Sequence, residues 1–164
     1  ELGGLPLVAE DLGSVTDEVL ALRDRYGLAG MRMLQWGFSP GSYHAPHAAP
    51  ENSVVYPGTH DNDTAVGWWR HLPADERKRF RAATGGQGKS VAHDLWRTAC
   101  ATHARTAIVQ VQDLLGLGSS ARTNTPGTAS GNWSWRVRRA DMTLALARRT
   151  RELLESTDRA AGRA

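Results

Sequence analysis

Short apolar runs that stop abruptly in polar chemistry constrain this chain more than any other feature. Leu5-Pro6-Leu7-Val8-Ala9 ends at Glu10-Asp11-Leu12-Gly13, and Val54-Val55-Tyr56 runs into Gly58-Thr59-His60-Asp61-Asn62-Asp63-Thr64. Gly30-Met31-Arg32-Met33-Leu34-Gln35-Trp36 and residues 106–111 are two further runs. Each is mostly apolar rather than alternating, as a strand covered on both faces requires. Between them lie helix-like stretches. Ser14 or Thr16 can cap one that carries Asp17 and Glu18 in its first turn, Val19, Leu22 and Tyr26 at helical spacing, and Gly27 where a C-cap belongs. Residues 74–84 and 90–103 read as two more, separated by Gly85-Gly86-Gln87-Gly88, and about 140–160 as a charged amphipathic helix. Repeated strand-then-helix order with buried strands predicts an α/β fold with about four parallel strands. In barrels of that class the chemistry gathers at the C-terminal ends of the strands.

Composition narrows the function classes. The net charge of +3 hides an asymmetry: residues 1–67 hold nine acids and three bases, whereas residues 68–164 hold eight acids and 17 bases. Eighteen of the 20 bases are Arg, but they are spread among acids on helical segments without interleaved aromatics, which argues against nucleic acid as a partner. The longest charge-free stretch, 33–50, is broken by Pro40, Gly41, Pro46 and Pro50 and carries two His, so it cannot span a bilayer. One cysteine, Cys100, allows no internal disulfide, and the opening Glu1-Leu2-Gly3-Gly4 has no signal-peptide pattern, so a cytoplasmic setting is expected.

Several motifs fail on their physical requirements. Gly88-Lys89-Ser90 matches the end of a phosphate-binding loop, but Ala83 stands where Gly is required and a charged helix precedes it instead of a strand. Asp61-Asn62-Asp63 starts like a calcium loop, yet the next ligand position is Ala65 and position twelve is Leu72. His44 and His47 have no third ligand at metal spacing, and no Gly-x-Ser-x-Gly elbow exists. No metal and no cofactor is expected. Cys100 among apolar neighbours reads as a structural thiol.

Two strand-end carboxylates remain, Glu10 and Asp61. Glu10 at the mouth of a core would have its pKa raised by desolvation, as a general acid near neutral pH requires. A carboxyl pair across a cleft is the equipment of glycoside chemistry, although either residue alone would serve equally as a helix cap or surface ion pair. Of six Trp, Trp36, Trp133 and Trp135 fall on or beside strand-end loops, where a sugar-stacking surface is expected. Trp68, Trp69 and Trp96 fall on helices and are expected in the core.

At these same stretches the sequence resembles the 4-alpha-glucanotransferases, or amylomaltases, of glycoside hydrolase family 77. The resemblance rests on Ala9-Glu10-Asp11-Leu12-Gly13, Gly30-Met31-Arg32-Met33-Leu34-Gln35, the 54–64 run with Gly67-Trp68-Trp69, and Gln112-Asp113-Leu114-Leu115-Gly116. It continues in Arg122-Thr123-Asn124-Thr125-Pro126-Gly127-Thr128 and Asn132-Trp133-Ser134-Trp135-Arg136, all in the family's order. It implies a (β/α)8 barrel that moves α-1,4-glucan segments between maltooligosaccharides through a covalent glycosyl-enzyme. Glu10 then corresponds to the general acid/base, Asp61 to the carboxylate that stabilises the transition state, His60 to a ligand of sugar hydroxyls and Asn124 to a substrate contact. Trp36, where the family more often has Phe, corresponds to a stacking residue near the acceptor site, and Ala48-Ala49 replaces more polar residues.

One departure matters most. The family's nucleophile is an Asp in Arg-x-Asp-His, whereas the one Arg-x-Asp here is Arg139-Ala140-Asp141, followed by Met142. A closed barrel takes roughly 250 residues, and this chain has 164, with no starting Met. The expectation is therefore the C-terminal half of the barrel across residues 1–164, inactive alone for want of a nucleophile. A non-catalytic glucan-binding module and an α-glucan hydrolase are the rival readings.

Overall fold

The computed structural model describes residues 7–86 and 90–160. Its centre is a three-stranded parallel sheet in the order β1 (Gly30–Met33), β2 (Ser53–Tyr56), β3 (Thr106–Ala107). Gly30 pairs with Ser53 and Met33 with Tyr56; Val54 and Val55 pair in turn with Thr106 and Ala107. Ile108 extends the last ladder by one bond, its amide donating to the Val55 carbonyl at 2.9 Å. The described residues form six α-helices: α1 (Asp17–Arg25), α2 (Ala65–His71), α3 (Ala74–Thr84), α4 (Val91–Cys100), α5 (Val111–Leu114) and α6 (Leu144–Ser156). None of them is long and apolar enough to cross a membrane.

The helix boundaries follow local chemistry. Thr16 precedes α1, Asp17 and Glu18 occupy its positive end, and Gly27 follows it at φ +63°, a conformation glycine adopts without strain. Thr64 caps α2 by accepting from the Gly67 amide, and Ser90 caps α4 by accepting from His93. Ser90 thus has a structural use, while Gln87 to Lys89 lie outside the described residues.

The core is built where α2, α3 and α4 meet the inner face of β2. Leu34, Val55, Phe80 and Leu95 are fully enclosed. Phe80 packs between Phe38, 4.8 Å away edge-on, and Trp68 and Trp69 at 5.6 and 5.3 Å. Aromatic pairs in this geometry add about 0.5–1.5 kcal/mol each beyond the area they bury. Trp96 and Cys100 form a second cluster with Leu153 of α6. Of the helical Trp residues, Trp96 is buried in the core as expected, and Trp68 and Trp69 pack against the first cluster half-buried. Burial pushes the Cys100 thiol up, and the residue closes α4. Beyond it the Arg159 guanidinium donates to the carbonyls of Cys100, Thr102 and Ala104, satisfying acceptors that a helix end leaves open.

Four expected elements need correction. Of the 5–9 run, Leu5 and Pro6 lie outside the described residues, and what remains is a single parallel bridge, Val8 to Ala29, with Leu7 and Val8 exposed. No described residue covers that segment's outer side. The 30–36 run stops pairing at Met33 and turns through a 3-10 segment, Leu34–Trp36, because the Gln35 amide bonds to the Pro57 carbonyl over the end of β2. The 106–111 run pairs over two residues only, and Val111 already opens α5. The last helix starts at Leu144, after a Thr143 cap, and ends at Ser156. The fold is α/β with a parallel sheet, in which the described residues form three strands and a bridge in place of four strands.

Candidate active site

The sheet aims its polar strand ends at one open cleft of about 570 Å3. Glu10 enters it from the segment bridged to Ala29, Trp36 from beyond β1, Gly58 to Asn62 from beyond β2, and Ile108 and Gln110 from beyond β3. Glu10, Trp36, His60 and Asp61 are thus brought together, and Asn124 reaches the same place through Asp61.

Around Asp61 the chain is closely tied. Asn124 Nδ2 donates to Asp61 Oδ1 at 2.5 Å, and His60 Nε2 stands 3.4 Å from the same oxygen. The Asn124 amide donates to the His60 carbonyl at 3.1 Å. Arg122 joins the two segments, donating through Nη2 to the Asp61 carbonyl and through Nε to that of Asn124, at 2.6 and 2.7 Å. Asp61 remains half exposed, so one carboxylate edge is held while the cleft stays open to a ligand. The His60 ring lies 5.0 Å from that of Trp133, tilted by 37°. Trp133 holds φ +58°, uncommon for a residue with a side chain, with its amide bonded to the Thr123 carbonyl at 2.7 Å.

The loop that carries His60 and Asp61 uses its neighbours to hold its shape. Asn62 Oδ1 accepts from both the amide and the hydroxyl of Thr59, at 2.9 Å each. Asp63 accepts from the Thr64 amide and the Ser119 hydroxyl, each at 2.8 Å. Asp61-Asn62-Asp63 is thereby a self-bonded turn. Gln35 and Gln110 grip it from either side: Gln35 Nε2 donates to the Asp63 carbonyl, Gln110 Nε2 to those of Gly58 and Thr59. A Cβ on Gly58 would come 2.8 Å from Gln35 Nε2, so the close approach requires glycine there.

The Glu10 side chain is exposed among the described residues. The carboxyl that burial does push up, to about 6, is Asp113, with the Asp63 charge adding and the Ala65 amide opposing. Next to Glu10, Asp11 is buried. It accepts from the Met31 amide at 2.5 Å, Arg23 at 2.7 Å and the Tyr43 hydroxyl at 2.9 Å, with Arg32 at 3.5 Å. Burial alone would raise its carboxyl, but these donors and the Arg32 charge together hold it below 3.8. The Arg32 guanidinium lies 3.7 Å from the Tyr43 ring centroid, and a Cβ on Gly30 would come 2.4 Å from Asp11 Oδ2. Asp11 therefore fixes the chain that presents Glu10.

The three loop Trp residues do not form one surface. Trp36 lines the main cleft and Trp133 stacks on His60, but Trp135 lines a separate pocket with Arg136 and Arg138. His44 is turned inward: its Nδ1 meets the Met33 amide at 3.3 Å, its ring packs edge-on to Trp36, and burial lowers its pKa. Among the described residues no three His, Cys, Asp or Glu side chains gather as a metal site would need. Gln110, Gln112 and Asp113 escaped the sequence reading as site elements, although the latter two fall in one of the motifs.

The chain is similar to proteins of one family. A family model described as 4-alpha-glucanotransferase matches residues 1–143. A 4-alpha-glucanotransferase of Streptococcus pneumoniae is 45% identical over 150 residues, which cover 89% of this chain and 30% of that protein. One from Thermus thermophilus is 42% identical over 167 residues, covering 96% of this chain and 33% of the relative. The solved amylomaltase from Streptococcus agalactiae in complex with acarbose superposes with a TM-score of 0.92 at 32% identity, over 96% of this chain and 33% of its own. The chain spans between about a quarter and a third of the length of the relatives it matches.

Proposed function

The chain belongs to the 4-alpha-glucanotransferase family, and from that premise we propose that it forms the C-terminal half of a (β/α)8 barrel that transfers α-1,4-glucan segments. The reading is carried by one observation: Glu10, Trp36, His60 and Asp61 share a cleft at the ends of parallel strands, with Asn124 bonded to Asp61.

A retaining transfer needs a nucleophile and an acid/base roughly 5 to 5.5 Å apart. Glu10 protonates the glycosidic oxygen as the bond to the donor breaks and a carboxylate takes the anomeric carbon. It then removes the proton from the acceptor's 4-hydroxyl as that oxygen displaces the enzyme. Asp61, oriented by Asn124 and His60, faces the sugar ring and offsets the positive charge that develops on it. Trp36 gives an apolar face for the acceptor glucose. Neither step needs a cofactor. The attacking carboxylate belongs to residues outside these 164, since Arg-x-Asp-His is absent from them. A cytoplasmic setting goes with the free buried thiol.

Maltotriose tests the proposal. The intact protein should yield glucose together with maltopentaose, and the 164-residue chain alone should yield neither. Glucose and maltose without longer products would replace transfer by hydrolysis. Turnover by the isolated chain would overturn the missing nucleophile, and tight maltoheptaose binding by an inactive intact protein would favour a binding module.

A further inference from the structure

One turn of helix sends three side chains into the two segments that meet at Asp61 and Asn124. Gln110, just ahead of α5, holds the Gly58 and Thr59 carbonyls before the His60-Asp61 pair. Asp113 Oδ1 accepts from the Ala65 amide at 2.7 Å, just behind that pair. Gln112 points to the other segment and donates to the Ala121 carbonyl at 3.1 Å and the Thr123 hydroxyl at 2.8 Å. Thr123 is the neighbour of Asn124. Both Gln112 and Asp113 are buried, at 6% and 4% exposure, and neither lines the cleft. Asp113 Oδ2 is buried without a partner among the described residues, a cost that packing alone would select against.

We infer that Gln112 and Asp113 are positioning residues that together set the Asp61–Asn124 hydrogen bond, one fixing each segment. The inference rests on the glucanotransferase reading of the cleft and adds to it residues that never touch sugar. Because both bonds arise from adjacent residues of one short helix, a shift in either segment is passed to the other. Misplacing a transition-state group by an ångström can cost about 100-fold in rate.

The test uses the intact protein. Gln112→Glu keeps size but removes the amide donor; Asp113→Ala removes the acceptor; Asp113→Asn retains it. For maltotriose, Gln112→Glu and Asp113→Ala should lower kcat roughly 10- to 100-fold per folded molecule, with KM little changed. Asp113→Asn should keep kcat within about threefold of wild type. Hydrogen exchange at residues 59–64 and 122–125 should quicken in the first two variants and not in the third. Unchanged kcat, or a loss in Asp113→Asn as large as in Asp113→Ala, would overturn the inference. Wild-type turnover judges the glucanotransferase reading separately: should wild type make no longer oligosaccharides, that reading falls. The exchange pattern then decides the positioning claim alone, and equal exchange in all variants refutes it.

Discussion

Removing the Asp11 carboxylate should cost far more than an ordinary surface charge, and the structure shows where the cost arises. Three donors and the Arg32 charge converge on it, but they do not depend on it equally. Arg23 also binds Asp24 at 2.6 Å, and the Tyr43 hydroxyl also accepts from Arg23. Arg32 is different: it is 3% exposed, and among the described residues its Nε has no partner and Asp11 is the one carboxylate near it, at 3.5 Å. Asp11→Ala therefore leaves a buried guanidinium with only the Met31 carbonyl and the Tyr43 ring. Breaking a buried pair from one side costs about 3–5 kcal/mol, whereas replacing both members by apolar groups is often neutral. Urea unfolding of the intact protein at pH 7 should show the full loss in Asp11→Ala, and Asp11→Ala/Arg32→Met should recover at least about 2 kcal/mol of it. The pH dependence has a definite sign. Asp11 is held below 3.8 in the folded state, so its contribution is complete above about pH 4 and is lost as pH falls through the folded value. Asp11→Ala should lack that acid-side loss. A cost under about 1 kcal/mol, or a double variant no more stable than Asp11→Ala, would refute the reasoning.

Other outcomes follow from single contacts. Gly67→Ala gains up to about 1 kcal/mol of helix propensity, but its Cβ would lie 2.3 Å from Ser119 Oγ and 2.4 Å from both Asp63 oxygens. Those groups are bonded to each other, so overpacking should win by about 1–2 kcal/mol and lower Tm; an unchanged or raised Tm would show the pair to be loose. Asp113, raised to about 6 by burial and by Asp63, binds its proton more firmly folded than unfolded. Its contribution is present below about pH 4 and lost as pH rises through 6, a change of order 3 kcal/mol that Asp113→Asn should flatten in unfolding measurements from pH 4 to 8. His93 and Arg149 line a cavity with Asp113 and are kept in place for that comparison. Trp133→Ala removes the ring stacked on His60, and kcat/KM for maltoheptaose should fall roughly 2- to 10-fold; no change would place Trp133 outside the glucan path.

Much of the frame was legible because it is local. The spacing over residues 74–84 and the acidic first turn of α1 act within a turn or two of helix, so sequence alone locates them. Glu10, Trp36, His60 and Asp61 were legible as a group because each follows an apolar run, and parallel strands bring their C-terminal ends to one side. Burial was not. A run such as 5–9 looks like a core strand, but its enclosure depends on what lies on its outer side, which its own residues do not encode. The tethers were equally hidden: Gln112 and Asp113 act on residues 9 to 48 positions away, and no periodicity relates them. Trp135 shares a loop with Trp133 yet faces another pocket, and nothing in the run of residues from 133 to 135 tells the two apart.

The assignment of Glu10 as acid/base can be tested with two donors that differ only in the leaving group. Maltotriose must be protonated to depart, whereas α-maltotriosyl fluoride loses fluoride without an acid. In the intact protein Glu10→Ala should cut glycosyl-enzyme formation from maltotriose by roughly 100-fold or more while leaving fluoride release at a near wild-type rate in the first turnover. Equal losses with both donors, or none with either, would contradict the role given to Glu10.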